Sequence, residues 1–385
     1  MSNNSNEQMK IAIVSGASKK GDSVRGIGAH NSNLFGAFHK LKNKKIEIPE
    51  VGMNDSLSKY DVVHFTVFRP FFISLPFNKP KNTKFVLTIH DLTALVYPNH
   101  YPPGIKGKIK FLINKYLIKK NVDRIITISE TSKKDICRFL NVNPEIVDVV
   151  YLAPKKEIKK LKTGDWKDKI TKRYSLPDKF VLFDHGVNYN KNIPTLIKAC
   201  RAAKIPLAVV GKEIENIGKL DLNHAELVHL KDVNFSDVLK LGYVSDEDLN
   251  KIFNLAYIYV QPSYYEGFGL PPLEAMAVGC PVIASKTQAL VEVCGDACLY
   301  FDPLSVEDLV EKIKIPLFVY KKQENYFQGS SRAPFGSDFN MVKAMDTCKD
   351  LLVSYGGHPT AAGFRLKGGA EKEFKIAMEK YFSSL

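Results

Sequence analysis

The stretch PSYYEGFGLPPLEAMAVGCPVIAS, residues 262–285, sets two glutamates, Glu266 and Glu274, astride a glycine-rich turn closed by Pro271-Pro272. Upstream, YIYVQPS (257–263) is rich in β-branched and aromatic residues and reads as a strand. Downstream, PPLEAMAVG reads as a helix opened by proline and ended by Gly279. YYEGFGL is therefore a strand-to-helix turn. Glycines there let the backbone approach a ligand closely. A helix start points free N–H groups outward, a ready phosphate site. The turn is expected to hold a diphosphate on the amides of Phe268, Gly269 and Leu270. Glu266, before the turn, and Glu274, in the helix's first turn, would accept hydrogen bonds from sugar hydroxyls at the two ends of such a ligand. That pattern suits a nucleotide-sugar. The same spacing also occurs at ordinary helix starts, where the dipole favours an acidic residue.

Outward from this stretch the chain alternates short apolar runs with helix-like segments. One series is KIAIVSG (10–16), DVVHFT (61–66), KFVLTIHD (84–91) and RIITISE (124–130). A second is KFVLFDHG (179–186), IPLAVVGK (205–212), LVHLKDV (227–233), YIYVQPS and PVIAS (281–285). Such alternation predicts α/β domains built on parallel sheets. The lysine-rich stretch 153–169 reads as a linker. The expected organisation is a disordered 1–9, two doubly wound domains at 10–172 and 173–312, and a separate segment at 313–385. Ligands in such sheets bind beyond the carboxyl ends of the strands.

Composition agrees with a globular protein: 45% of the 385 residues are hydrophobic and 25% charged. No apolar run reaches the ~18 residues of a membrane-spanning helix. The N-terminus MSNNSNEQMK has no apolar signal core, so a cytoplasmic location is expected. The six cysteines are scattered without a C-x-x-C pair, as in a reduced protein without a zinc site. Charge is uneven. Residues 1–172 carry 31 Lys and Arg against 15 Asp and Glu, while the remainder is near neutral. A basic half calls for an anionic partner: nucleic acid, a phosphate-bearing substrate or an anionic membrane. GIKGKIKFLINKYLIKK (104–120) spaces Ile109, Leu112, Ile113, Tyr116 and Leu117 as a helix would. It fits either a helix lying on an anionic membrane or a surface helix packed on its own sheet with a solvated lysine face.

The full string 262–285 resembles the E-x7-E signature of the group 1, family 4, retaining glycosyltransferases. The resemblance implies a GT-B fold, two Rossmann-like domains facing across a cleft, and a nucleoside-diphosphate-sugar donor. It implies that Glu266 lies near the transferred sugar and departing phosphate, and that Glu274 holds the ribose. It gives Phe268, Gly269 and Leu270 the backbone contacts. VRGIGAHNSNLFGAF (24–38) is similar to the family's glycine-rich loop, where Gly26 and Gly28 would approach the donor phosphate. TIHDLTALVYPNHYP (88–102) resembles the His-Asp segment, which would set His90 by donor and acceptor as a catalytic group. FDHGVNYNKNIPTLIKA (183–199) resembles the second phosphate clamp, with Lys191 as its cation. Here the sequence departs from the usual form, which carries an arginine where Asn188 or Asn190 stands. Lysine and N–H donors would meet the leaving diphosphate, so the resemblance implies a metal-independent mechanism without cofactor. The acceptor would be a saccharide or lipid-linked hydroxyl, placing the protein in the cytoplasm or on the inner face of the membrane.

The resemblance runs from about Lys10 to Lys312, and the closing helical stretch expected after it does not follow. From Ile313 the chain instead resembles the DHH-associated domain of RecJ-type phosphoesterases, through FQGSSRAPFGSDFNMVKAM (327–345) and GGHPTAAGF (356–364). That likeness implies a small α+β segment with Arg332, Gly357 and His358 as phosphate contacts. The catalytic DHH domain is missing. GGHP also fits a tight turn before a strand. A nucleic-acid-binding role for the tail would need stacking aromatics beside its cations, for which Tyr326, Phe327 and Phe335 are the candidates.

Overall fold

The computed structural model describes residues 9–15, 31, 33, 34, 36, 37, 48–334 and 336–384. Gly26 and Gly28, residues 1–8 of the expected disordered 1–9, and Phe335 lie outside them. The chain divides into two compact units, Met1–Leu152 and Ala153–Leu385.

The first unit holds a parallel sheet of β1 (Ile11–Val14), β2 (Val62–Phe65), β3 (Lys84–Thr88), β4 (Arg124–Thr127) and β5 (Val147–Val149), hydrogen-bonded in that order. Glu50 bridges Ile13 in parallel on the other side of β1, through Ile13 N–H to Pro49 O and Val51 N–H to Ile13 O. The chain therefore runs first to one side of β1 and then to the other, which makes the sheet doubly wound. Its core gathers Phe65, Phe85, Leu87, Leu117, Ile118 and Ile136.

The second unit holds β6 (Val181–Asp184), β7 (Leu207–Val210), β8 (Val238–Gly242), β9 (Ile258–Gln261), β10 (Val282–Ser285) and β11 (Leu299–Phe301). The order is β11-β10-β9-β6-β7-β8, all parallel. Every residue of β6, β7, β9 and β10 is buried, as expected of strands covered on both faces. The winding reverses between β6 and β9, so the crevice beyond their carboxyl ends is where a doubly wound sheet receives its ligand.

Two expectations are corrected. The domain boundary falls at 152/153, not 172/173. The lysine-rich stretch is part of the second unit: Ile158 and Ile170 enter its core, and the amides of Lys159 and Leu161 donate to Asn250 and Asn254 side chains. Sequence composition showed the surface lysines but not the apolar anchors every dozen residues. Second, LVHLKDV forms no strand. It closes a 3-10 turn, Val228–Leu230, with Leu230 buried, and β8 lies ten residues further on. The weaker apolar run around Lys240 pairs with β7 because it is the one that reaches the sheet edge.

The tail is an antiparallel sheet, β12 (Leu317–Lys322), β13 (Tyr326–Arg332), β14 (Leu352–His358) and β15 (Ala361–Lys367), in the order β12-β13-β15-β14. It has helices Met341–Asp346 and Glu371–Ser383, and a core of its own around Phe364, Leu366 and Phe374. It lies within the second unit and is not the separate segment expected at 313–385. Ile313 and Leu317 bury in that unit's core, and Ser330 Oγ donates to Gly279 O at 3.3 Å.

Candidate active site

The crevice of the second unit is built from two strand ends that lie far apart in sequence. After β6, a 3-10 turn Tyr189–Lys191 carries Lys191. After β9, the chain passes Ser263 and turns at Glu266. Lys191 Nζ donates to both carboxylate oxygens of Glu266, each at 2.9 Å. Glu266 Oε1 also accepts from Ser263 Oγ at 2.6 Å and from Gln261 Nε2 at 2.8 Å. Gln261 in turn accepts from Tyr259 OH at 2.6 Å. Tyr259, Gln261, Ser263, Glu266 and Lys191 thus form one connected polar network, buried except for the half-buried Lys191. A buried carboxylate is tolerated because each oxygen is satisfied and a cation faces it. Burial, with Asp184, Glu266 and Glu274 near by, holds the Tyr259 hydroxyl proton well above the usual tyrosine range.

Asparagines fix the frame. Asn190 Nδ2 donates to Tyr265 O and its carbonyl accepts from Tyr264 N–H, which ties the Lys191 turn to the glutamate turn. Asn192 Nδ2 donates to Pro262 O and Pro303 O. Asn190 thus fills the region of the expected arginine with a brace rather than a second cation.

The helix Leu270–Ala277 starts at Gly269, whose φ is +103°. A Cβ there would meet Leu290 Cδ2 at 2.5 Å, so both the backbone and the packing require glycine. Pro271 and Pro272 carry no N–H, so the first turn presents donors from Leu270 and Leu273 only. Phe268 is buried at the turn. Glu274 is the fifth residue of the helix, in its second turn rather than its first, and is 7% exposed. The dipole explanation for that glutamate weakens accordingly, because the dipole acts over the first turn.

His90 belongs to the first unit, two residues beyond β3 and half-buried. Its carbonyl accepts from Ser132 Oγ at 2.9 Å. Asp91 Oδ1 accepts from Thr93 N–H and Oγ1 at the start of the short helix that follows. Among the described residues no three His, Cys, Asp or Glu gather as a metal-holding group.

Residues 166–327 match the family model described as Glycosyl transferases group 1, and residues 29–153 match Glycosyltransferase Family 4. The chain carries group 1 and family 4-type glycosyltransferase domains. The serotype-specific mannosyltransferase WbdA of Escherichia coli is 28% identical over 237 residues, 59% of this chain and 28% of that protein. O-antigen chain mannosyltransferase B of Escherichia coli is 29% identical over 231 residues, 58% of each chain. The chain thus spans less than two thirds of these relatives' length. The fold is GT-B-like. Sucrose-phosphate synthase of Thermosynechococcus elongatus superposes with a TM-score of 0.55 at 18% identity, covering 79% of this chain and 88% of that one. Anabaena HepE, solved with UDP and glucose, gives 0.53 at 18% identity over the same shares.

Within the glycosyltransferase frame the structure brings together Lys191, Glu266, Phe268, Gly269, Leu270 and Glu274. The sequence reading missed Tyr259, Gln261, Asn190 and Ser263 as positioning residues. A signal was present: Tyr259, Gln261 and Ser263 alternate as polar residues on one face of a strand otherwise read as apolar.

The tail residues fare differently. Arg332 is not placed as an open phosphate contact. Burial lowers the guanidinium's hold on its proton, partly offset by Cys280 and Tyr257 of the same unit, and its Nη1 donates to Ser331 O at 2.9 Å. Gly357 and His358 are exposed at the end of β14. Gly357 has φ +144°, and a Cβ there would meet Ala361 O at 2.7 Å and Ala362 Cα at 2.8 Å. The close approach of β15 explains this glycine. The stacking reading also fails for Phe327, which points into the tail's core, while Tyr326 is covered by Arg365.

Proposed function

We propose that the protein transfers a hexose from a nucleoside-diphosphate sugar to a hydroxyl of a saccharide or lipid-linked acceptor, with retained anomeric configuration. The observation that carries this is the Lys191–Glu266 pair at the reversal point of the second sheet. In transfer, the bond from the anomeric carbon to the diphosphate oxygen breaks and a bond to the acceptor oxygen forms. The acceptor proton passes to the departing diphosphate or to solvent. Negative charge grows on the leaving oxygens, and Lys191 with the Leu270 amide supplies fixed positive charge and a donor there. Glu266 would meet the sugar hydroxyls and Glu274 the ribose. By the resemblance, Gly26 and Gly28 are candidate diphosphate contacts and His90 a candidate catalytic group. This charge set needs no metal ion, and turnover is expected to survive chelation by EDTA. The mannosyltransferase names of the relatives favour a mannose-type donor and an envelope polysaccharide or glycolipid as product.

We read the tail as a DHH-associated-like fold used here as a brace, because its sheet sets Arg332 beside Tyr257 and Cys280 and its Gly357 is set by strand packing. Work at the inner membrane face follows from a lipid-linked acceptor.

The test is binding and turnover on the full chain. UDP, GDP and ADP are titrated by calorimetry, and release of nucleoside diphosphate from the matching sugar donor is followed with and without acceptor. Failure of all three nucleotides to bind would sink the reading.

A further inference from the structure

The helix Gly104–Asn121 packs one face on the core of its own unit through Leu117 and Ile118. Gly107, Asn114, Leu117, Ile118 and Asn121 form its buried face. Asn114 Nδ2 donates to Phe72 O at 2.6 Å and Asn121 Nδ2 to Pro76 O at 3.0 Å, pinning the 70–77 loop along the helix. The opposite face is not a solvated lysine face. Ile105 (80% exposed), Ile109 (53%), Leu112 (65%) and Tyr116 (59%) stand at i, i+4, i+7 and i+11, within one narrow stripe. Phe72 and Phe77 of the pinned loop are exposed as well, and Lys110 Nζ lies 5.3 Å from the centre of the Phe72 ring. On helical spacing, Lys108, Lys115 and Lys119 flank the stripe on one side and Lys106 and Lys120 on the other. The helix has no acidic residue.

Beside the stripe lies a cavity of about 370 Å3. Its walls are Phe71, Leu95, Pro98, Pro103, Phe111 and Phe139, and exposed Leu112 and Lys108 form its rim. The volume falls within the ~300–1,000 Å3 of small-ligand sites. Leu112 belongs to both features, so the cavity is continuous with the stripe.

We propose that this face docks on an anionic lipid bilayer and that the cavity seats one hydrocarbon chain of a lipid in it. The charge pattern selects the occupant. An apolar stripe framed by lysines on both sides, with no carboxylate on the helix, matches a surface of hydrocarbon beneath anionic headgroups. The apolar residues enter the headgroup–acyl boundary, the lysines meet phosphates, and Lys108 at the cavity rim holds the headgroup of the seated chain. The proposal deepens the transfer reading, since a lipid-linked acceptor would be held by its chain and presented from the membrane. The docking itself does not depend on transfer.

The test is flotation of the full chain with phosphatidylcholine vesicles, with and without phosphatidylglycerol. Flotation with the anionic vesicles is expected, weakened by salt as Debye screening shortens. Lys108→Glu and Lys115→Glu should each lower partitioning by about fivefold or more. Ile105→Ser with Ile109→Ser and Leu112→Ser should lower it by about tenfold or more without changing the melting temperature, because these side chains are already in water. The chain has one tryptophan, Trp166, in the second unit. Phe71→Trp therefore places a reporter in the cavity, and vesicles with brominated acyl chains should quench it beyond the Trp166 background. No flotation, equal binding to neutral vesicles, or stripe variants that bind undiminished overturn the docking. Headgroup binding without quenching overturns the chain seat. Sedimentation showing that the stripe instead drives pairing of two copies overturns the membrane as occupant. Nucleotide release measured without vesicles separates the two readings: its absence beside intact flotation sinks transfer alone, and its presence beside lost flotation sinks docking alone.

Discussion

In the turn after β9, Glu266 is 8% exposed and takes hydrogen bonds from Gln261, Ser263 and Lys191. At the end of β14, His358 stands in water, and its Nδ1 meets Thr360 two residues on. Both residues sit in strings that read as ligand motifs. The difference lies in what reaches them from elsewhere in the chain. Glu266 is met by a cation 75 residues away, carried on the 3-10 turn that follows the neighbouring strand of the same sheet. The hairpin tip beside His358 is used up by backbone: Met341 N–H donates to Pro359 O and Ala333 N–H to Thr360 O. A motif becomes a site when the fold converges side chains on it. Here one motif gathers a polar network and the other closes a hairpin.

The comparison can be broken or sharpened in five steps, largest effect first. Lys191→Ala should lower sugar transfer by about 10²–10³, the scale of losing one preorganised donor to a developing anion. Initial rates of nucleotide release measure it, and a rate within twofold of the parent would erase the distinction between the two motifs. Gly269→Ala and Gly357→Ala should each destabilise by about 1–3 kcal/mol, because both have φ values that L side chains rarely adopt. Gly357→Ala should be the costlier, since its Cβ meets backbone while that of Gly269 meets a side-chain end. Urea titration ranks them, and calorimetry should show nucleotide binding impaired by the first only.

Glu274→Ala should weaken nucleotide binding about tenfold, or ~1.4 kcal/mol. An unchanged dissociation constant would return Glu274 to a packing role. Cys280, where the motif meets the tail, gives a pH test. Burial pushes its thiol up to about 12. An unfolded thiol titrates near ~8.5, so the unfolded state loses its proton first as pH rises. The contribution is intact below that value and falls by up to ~1.4 kcal/mol per pH unit above it, until the folded thiol itself ionises. Urea midpoints between pH 8 and 10.5 should therefore decline less steeply in Cys280→Ala. His358→Ala should change stability by less than ~0.5 kcal/mol, as for an exposed side chain, and leave nucleotide affinity alone. A clear loss of affinity would restore the phosphate role of the tail.

Much of the fold was legible. Nine strands were expected across the two series, and eight of those runs contain strands, because a strand buried on both faces leaves a short apolar run that little else produces. The exception, 227–233, shows the limit: a run of that length also fits a buried turn, and Leu230 is enough to bury it. The boundary at 152/153 was hidden because lysines dominate the composition of 153–169 while two isoleucines and two backbone amides do the anchoring. At the candidate site, spacing and resemblance singled out Glu266, Glu274 and Gly269, and resemblance alone Lys191. The Gln261–Ser263–Glu266 network was not, because it depends on which strand face turns inward at the sheet's reversal point.

By itself, then, the sequence determined what acts over a few residues: strand runs, the glycine that frees a turn, the proline that opens a helix, the excess of lysine. Such features depend on backbone sterics and local periodicity. Only the tertiary structure decided which side of the helix Gly104–Asn121 meets water, since its apolar residues lie all round and Asn114 and Asn121 take the inner face through bonds to a loop some 40 residues earlier. The same is true of Arg332, a cation on any sequence reading, which lies against Tyr257 and Cys280 because the tail's sheet packs on the turn that ends at Gly279. Packing partners are chosen by long-range burial, and no local pattern encodes them.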